Sequence, residues 1–402
     1  MSKAAAGSPA FKRINRAMLA GGFSAFALLY CVQPLMPLMA LQFALTPAQA
    51  SWSLSIATLA LAISLLLSGA LSERIGRKRL MSAALAAAAV CTLLSAFAQN
   101  FGQLLVLRAL LGFALGGMPA VAMAYLAEEI APDSLGLAMG MYIGGTAFGG
   151  MAGRVLASFI SDFYSWRLAV ALMGVAGLYA AWEFWRSLPT SGHFRPGASG
   201  ARALLQGAGA HLADAGLPWL FAIAFLLMGA FVSLYNYIGY RLLGAPFNIG
   251  QSAVGALSVL YLIGMFSAVW AGRLADRIGR RNVLWLVLMI MLAGLLLTLS
   301  SSLIVVVAGM ALFTFGFFAS HSVASSWVGM RARTPQALAS AMYLFFYYLG
   351  SSIVGSLCGL AWSRAAWPGV VALLALVLGL AVLIALRLRS LLPLAPAAAL
   401  AA

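Results

Sequence analysis

The sequence predicts an all-α membrane protein: twelve transmembrane helices in two pseudo-symmetric six-helix bundles. Three observations predict it. Hydrophobic residues make up 64% of the 402 and charged residues only 8%, too apolar a mixture for a water-soluble core. The apolar runs recur at lengths near the roughly 20 residues that cross a bilayer as a helix. Finally, Gly69-Ala-Leu-Ser-Glu-Arg-Ile-Gly-Arg-Lys78 returns as Gly272-Arg-Leu-Ala-Asp-Arg-Ile-Gly-Arg-Arg281, six of ten residues identical at an interval of 203. A loop repeated at half the chain length marks a duplicated helical unit, and that architecture points to transport.

Spans are expected over about 17–39, 51–72, 80–98, 103–127, 135–157 and 166–188, then about 218–240, 251–272, 283–300, 303–329, 336–358 and 367–386. All must be helical, because lipid offers the backbone no hydrogen-bond partner. Lys12, Arg13 and Arg16 precede the first run, Ala17 to Met39. That run is too long for a signal-peptide core, so it reads as a retained span despite the later Ala48-Gln49-Ala50 triplet. The break from Arg186 to Gly216 carries Pro, Ser, Gly and His. It divides the chain into a six-helix bundle (1–188), a linker (189–217) and a second six-helix bundle (218–402). Within it, Leu204 to Leu212 reads equally as a short interfacial helix or as plain linker.

Lys and Arg set the orientation. With both termini cytoplasmic, nineteen of the 24 fall in inside segments and three, Arg167, Arg241 and Arg364, fall outside. The net charge of +16 is therefore topogenic, and nucleic acid is not an expected partner. Cys31, Cys91 and Cys358 show no paired spacing, so neither a disulfide framework nor a metal site follows. The lysines, Lys3, Lys12 and Lys78, sit in no phosphate-binding G-x-x-x-x-G-K-[ST] loop. His193, His211 and His321 lack metal-ligand spacing. An enzyme is not expected.

The two copies of G-x-L-x-[DE]-R-I-G-R-[KR] resemble the loop motif of the major facilitator superfamily, and the likeness extends to twelve spans around a central loop. The glycines let helix ends approach and the loop turn tightly. The acids Glu73 and Asp276 can face the positive N-terminal end of a helix in the opposite half, and the basic residues anchor the loop at an anionic leaflet. The resemblance implies a cytoplasmic gate made of Gly69, Glu73, Arg74, Gly76 and Arg77, with Gly272, Asp276, Arg277, Gly279 and Arg280. It latches the inside while the transporter is open outward. Glu73 would face the start of span 11 near Pro335, and Asp276 the start of span 5 near Pro132. Leu104-x-x-x-Arg108-x-x-x-Gly112, the run Gly144-Gly-Thr-Ala-Phe-Gly-Gly150 and Pro34-x-x-Pro37 are similar to motifs of drug:proton antiporters, although Thr146 stands where those have proline. Tyr30-Cys-Val-Gln-Pro34, Glu128-Glu-Ile-Ala-Pro-Asp133, Ala319-Ser-His-Ser-Val-Ala-Ser-Ser-Trp327 and Tyr347-Tyr-Leu-Gly-Ser-Ser352 resemble the drug-antiporter and sugar-efflux permease group of bacterial inner membranes.

Polar groups inside the membrane each ask for a reason, since a mid-bilayer charge costs roughly 2.5–3.5 kcal/mol on insertion scales. Arg108 has two readings. It bonds carbonyls of span 1 or snorkels outward, or it faces a cavity and senses protonation or an anionic group. Arg154 reads as snorkelling outward. None of the eight carboxylates sits at mid-membrane, so a neutral or anionic cargo is expected rather than a permanent cation. His321 is able to titrate near neutral pH. It reads either as a proton carrier working with Arg108, Glu128 and Glu129, or as a satisfied polar residue bonding Ser325 or a neighbouring helix. The family fold implies a cavity with candidates Tyr30, Gln33, Arg108, Tyr142, Asn236, Tyr237, His321, Tyr343 and Tyr347, the aromatics reading equally as packing.

The expected function is secondary active transport by alternating access, as proton-coupled efflux (antiport) of a metabolite, sugar or drug. Uptake by proton symport is the rival within transport. A polytopic membrane enzyme or receptor is the rival from another class, and neither clustered interfacial acids outside the gate nor a soluble domain supports it. The expected partners are a small-molecule substrate, protons and the lipid bilayer. No cofactor beyond the proton gradient is expected, and the state is a monomer.

Overall fold

The computed structural model of the chain describes residues 3–192, 201–332 and 336–390. Within them the molecule is a multi-pass bundle of helices, with no strand beyond an isolated bridge between Ala4 and Ile130. Spans 1 to 6 are Pro9–Gln42, Pro47–Ile75, Arg77–Ser95, Phe101–Glu129, Pro132–Phe163 and Trp166–Ser187. A short helix, Ala201–Leu212, precedes spans 7 to 10 at Leu217–Leu243, Gln251–Ile278, Arg280–Leu297 and Leu303–Arg331. Spans 11 and 12 form one rod, Gln336–Arg389, bent where Ala365 and Ala366 leave helical dihedrals. Most helices outrun the expected apolar windows, because a helix persists past the hydrocarbon once polar side chains take over. His193 and Pro335 lie outside the described residues.

Local chemistry sets the ends and breaks. Span 2 opens with a capping box, Thr46 and Gln49 each satisfying the other's backbone N–H. Span 1 is interrupted after Tyr30 and continues through a 3-10 turn, Gln33–Leu35, into Met36–Gln42. Pro34 and Pro37 have no N–H to give, so the carbonyls four residues earlier lose their helical donors. Span 4 breaks at Gly116–Met118, just before Pro119. The repeated loops fold alike: Gly76 has φ 89° and ψ 146°, Gly279 φ 89° and ψ 139°. Only glycine enters that region without strain.

Spans 1 and 5 touch backbone to backbone. An added Cβ on Gly149 would fall on the Phe23 carbonyl, and one on Gly153 on the Ala27 backbone. Span 11 repeats this on span 7, where Gly350 lies against Phe225. The glycine run of span 5 is thus partly a close-packing face. Its helix stays unbroken, since Thr146 keeps the N–H that proline would remove and donates its hydroxyl to Ile143 at 2.7 Å.

The two ends of the molecule differ. At the end opposite the basic loops, the first six spans close on the last six. Ser158 packs against Gly255, Ala48 against Gly359, and the Gln251 amide donates to the Pro34 carbonyl at 2.6 Å. At the basic end, no ion pair between described residues joins the first six spans to the last six. Arg77 holds Glu128 at 2.8 Å, Arg16 approaches Glu183 at 3.8 Å, and Arg331 holds Asp214. Asp214 also accepts the N–H groups of Gly216 and Leu217 at 2.8 Å, fixing the start of span 7. Partial burial pushes its carboxyl up, but Arg331 and those two N–H groups prevail and hold it below the usual Asp value. Open space lies beyond Gly69, Gly136, Gly140 and Gly329 on spans 2, 5 and 10.

Gly149→Ala and Gly350→Ala should each cost about 1–3 kcal/mol, as overpacking against backbone does. Gly144→Ala, with nothing within 4 Å, should leave the melting midpoint of the detergent-solubilised protein unchanged. Equal midpoints for all three variants would show that this contact does not hold the spans together.

Candidate transport site

The break in span 1 generates the polar centre. Leu28 and Leu29 lie in the last turn before it, and Arg108 of span 4 satisfies their carbonyls with Nη1 (3.2 Å to Leu28) and Nη2. Its Nε donates to the Ser53 carbonyl of span 2 at 3.0 Å. The side chain is fully enclosed. Arg108 therefore binds the carbonyls of spans 1 and 2 rather than facing a cavity, which is the first of its two sequence readings.

Beyond the break, Gln33 joins both halves. Its Nε2 donates to Asn236 Oδ1 at 2.6 Å and to the Val232 carbonyl at 3.2 Å, both on span 7. Its Oε1 accepts from Arg154 Nε at 2.6 Å. Gln33 and Asn236 are 203 residues apart, the interval of the repeated loop, so near-equivalent positions of the two halves meet at the pseudo-twofold axis. Arg154 turns inward here, contrary to the snorkelling expected of it. The physical reason is that the broken span 1 offers an acceptor and an aromatic face within reach. The guanidinium lies 4.3 Å from the Tyr30 ring centroid and 5.0 Å from that of Tyr261, and only 3% of the residue is exposed.

From Tyr261 a cluster of aromatic rings, largely buried, runs through spans 7, 8, 10 and 11. Phe231 is 5.4 Å from Tyr261 and stacks on Phe317 at 3.7 Å, and Phe317 lies parallel to His321 at 6.1 Å. His321 Nδ1 is 3.0 Å from Tyr343 Oη, and its ring is 4.8 Å from Tyr347. The partner of His321 is thus on a neighbouring helix, while Ser325 bonds the Ser322 carbonyl. No hydrogen bond between described residues links His321 to Arg108 or to Glu128, whose carboxylate is held by Arg77. Glu129 is buried beside Glu128. Tyr237 donates to the Gly355 carbonyl at 2.9 Å and stacks near Trp362, a packing position at the closed end. Tyr142 is buried against Gly22 with its hydroxyl unpartnered.

The residues expected to form the gate occupy the basic end, and no hydrogen bond or ion pair among the described residues joins them across the halves. Arg280 donates to Asp276 at 2.9 Å and to Ser326 at 3.1 Å, so Asp276 is paired within its own loop rather than with the start of span 5. Glu73 has no partner among the described residues, and the Pro335 region expected to receive it lies outside them. Arg74 and Arg277 are exposed. A contact the sequence did not announce lies at the other end: Asp162, at the foot of span 5, accepts the Ser252 N–H at 3.1 Å on the first turn of span 8. An acid here faces the positive end of a helix in the opposite half, at the face opposite the repeated loops. Residues of this centre that sequence reasoning missed are Tyr261, Phe231 and Phe317, single aromatics in apolar helices with no motif around them.

The chain matches the Major Facilitator Superfamily over residues 18–353. It belongs to that family. The transporter is 49% identical over 383 residues to the inner membrane transport protein YnfM of Escherichia coli (strain K12), covering 95% of this chain and 92% of that one. It is 46% identical over 372 residues to the uncharacterized MFS-type transporter YybF of Bacillus subtilis (strain 168), covering 92% of each chain. In structure it resembles the nucleoside transporter NupG, with a TM-score of 0.78 and 15% identity over 93% of this chain and 99% of that one. The protein is accordingly a secondary transporter and not an enzyme, with a small-molecule substrate handled within the membrane.

Asp162→Ala removes the side-chain acceptor from the first turn of span 8. Alkylation of a cysteine placed at Val254, buried in the adjoining seam, should rise by roughly two- to ten-fold, the population change that goes with losing a helix cap. Unchanged labelling would exclude Asp162 from the closed-state seal.

Proposed function

We propose that the transporter exports a neutral or anionic small molecule from a bacterial cytoplasm in exchange for inward-moving protons, acting as a monomer in the inner membrane. The excess of Lys and Arg at the end carrying the repeated loops supports assigning that end to the cytoplasm. On that assignment the conformation is inward-open, sealed outside by Gln251, Asp162 and the Ser158–Gly255 contact. The two six-span bundles, 1–188 and 218–402 about the 189–217 linker, rock around the Gln33–Asn236 axis. The loops engage across the halves when the inside closes, with Glu73 and Asp276 as the latching acids.

The observation that carries the substrate reading is Arg154. No carboxylate among the described residues pairs with it, and none lies along the aromatic cluster from Tyr261 to His321. A polar centre with a cation and no anion among its described residues repels organic cations. His321 supports the proton half of the exchange: it is an imidazole at spanning depth whose described polar partner is the hydroxyl of Tyr343. Uptake by symport uses the same groups, and the measured direction of coupling decides between the two.

In proteoliposomes with an imposed pH gradient, His321→Ala should remove the pH dependence of transport while the protein still inserts and melts normally. An unaltered pH profile rejects His321 as the proton carrier. Asp276→Asn should slow turnover several-fold at unchanged expression, because the inside-closed state loses one acid–helix contact. Wild-type turnover would remove Asp276 from the gate.

A further inference from the structure

Resting on the transport reading above, we propose that Arg154 is the substrate-binding cation of the site and that the cargo is a small organic monocarboxylate with a planar, aromatic body.

The guanidinium is buried, yet all its acceptors are neutral. Nε is taken by Gln33 Oε1 at 2.6 Å and Nη1 by the Gly150 carbonyl at 2.7 Å, while Nη2 has no partner among the described residues. A desolvated cation held only by neutral groups remains a site for an anion. Its planar fork matches a carboxylate in particular. The groups around it lack acceptors. Tyr30 Oη, Tyr261 Oη and Asn236 Nδ2 are all buried without a hydrogen-bond partner. Tyr30 and Tyr261 lie against the guanidinium, and Asn236 is one hydrogen bond away through Gln33. An ionised carboxylate is an acceptor only, with about four lone-pair sites, and it answers this surplus of donors. A sugar brings a hydroxyl donor for every acceptor and leaves the cation unneutralised.

Charge and shape narrow the class. Arg108, the other arginine deep in the first six spans, spends all three of its nitrogens on backbone carbonyls. One available cation suits one negative charge, a monoanion rather than a dicarboxylate or phosphate dianion. The site is also built once. Gly149 and Gly350 make the same helix contact and differ by 201, and adding 201 to 154 reaches Gly355, so the second half offers a glycine in place of a second arginine. From Tyr261 the rings of Phe231, Phe317, His321 and Tyr347 follow in contact. A flat body that enters beside Arg154 meets aromatic rings rather than aliphatic side chains, which favours a planar cargo.

The experiment uses full-length purified protein and matched pairs of probes: benzoate with benzamide, cinnamate with cinnamamide, and hexanoate with hexanamide. Dissociation constants are read from saturable thermal stabilisation. The expected result is binding of an aromatic acid, at least roughly ten-fold weaker binding of its amide and of hexanoate, and the same loss for the acid in Arg154→Gln, as removal of a charged hydrogen bond gives. Arg154→Lys should recover part of that loss. Should Arg154→Gln fold poorly, Asn236→Asp tests the same point, since a carboxylate beside Gln33 should repel the acids and leave the amides unaffected. Acids and amides indistinguishable in wild type, or full acid affinity in Arg154→Gln, would make Arg154 a strut between the halves and overturn the proposal. Proton movement is measured in the same preparation. Acid-selective binding with no proton flux retains the site and removes the antiport reading, whereas proton-coupled transport blind to carboxylates does the reverse.

Discussion

A helix broken inside lipid exposes carbonyls that water cannot reach, and the centre of this transporter is organised around one such break. Pro34 and Pro37 deprive span 1 of two donors, and side chains from two other spans bond carbonyls beside the break. Arg108 covers Leu28 and Leu29. Gln251 reaches the Pro34 carbonyl from span 8, and Gln33 turns away from its own helix toward Asn236 and Arg154. Because these partners come from both halves, the repair of one helix is also the joint between two bundles.

That joint explains the asymmetry of the ends. Close backbone contacts through Gly255 and Gly359, with Asp162 at the start of span 8, hold the halves together on one face. On the other, the charged loops satisfy themselves within each half, through Arg77 with Glu128 and Arg280 with Asp276. An acid facing a helix N-terminus serves the closed face here, and the repeated loops carry acids suited to the same service at the opposite face. Closing one end and opening the other exchanges contacts of one kind, so the two states need not differ greatly in free energy.

The two buried arginines show how little residue type alone says about role. Both are cations in apolar helices without a carboxylate partner among the described residues. Arg108 meets three carbonyls and is satisfied. Arg154 meets an amide oxygen, one carbonyl and two aromatic faces, and keeps a nitrogen open. Sequence reasoning gave the first a possible cavity role and sent the second outward to water. Their surroundings reverse that weighting, through a helix break whose direction no local pattern specifies.

The sequence by itself determined the number and placing of spans, the duplication and the loop geometry. These follow from local quantities: apolar length against bilayer thickness, Lys and Arg counts, and two glycines that alone tolerate φ near 89°. It also marked Gln33, Asn236, His321, Tyr343 and Tyr347 as polar or aromatic groups out of place in lipid. Which of them meet was decided only by tertiary structure. The hydrogen bond between Gln33 and Asn236 closes a separation of 203 residues, and Phe231, Tyr261 and Phe317 become one cluster only when spans 7, 8 and 10 pack. In lipid, apolar faces are interchangeable to a hydropathy count. Helix rotation is set by small-residue contacts and buried polar pairs, and those exist only once the helices are side by side.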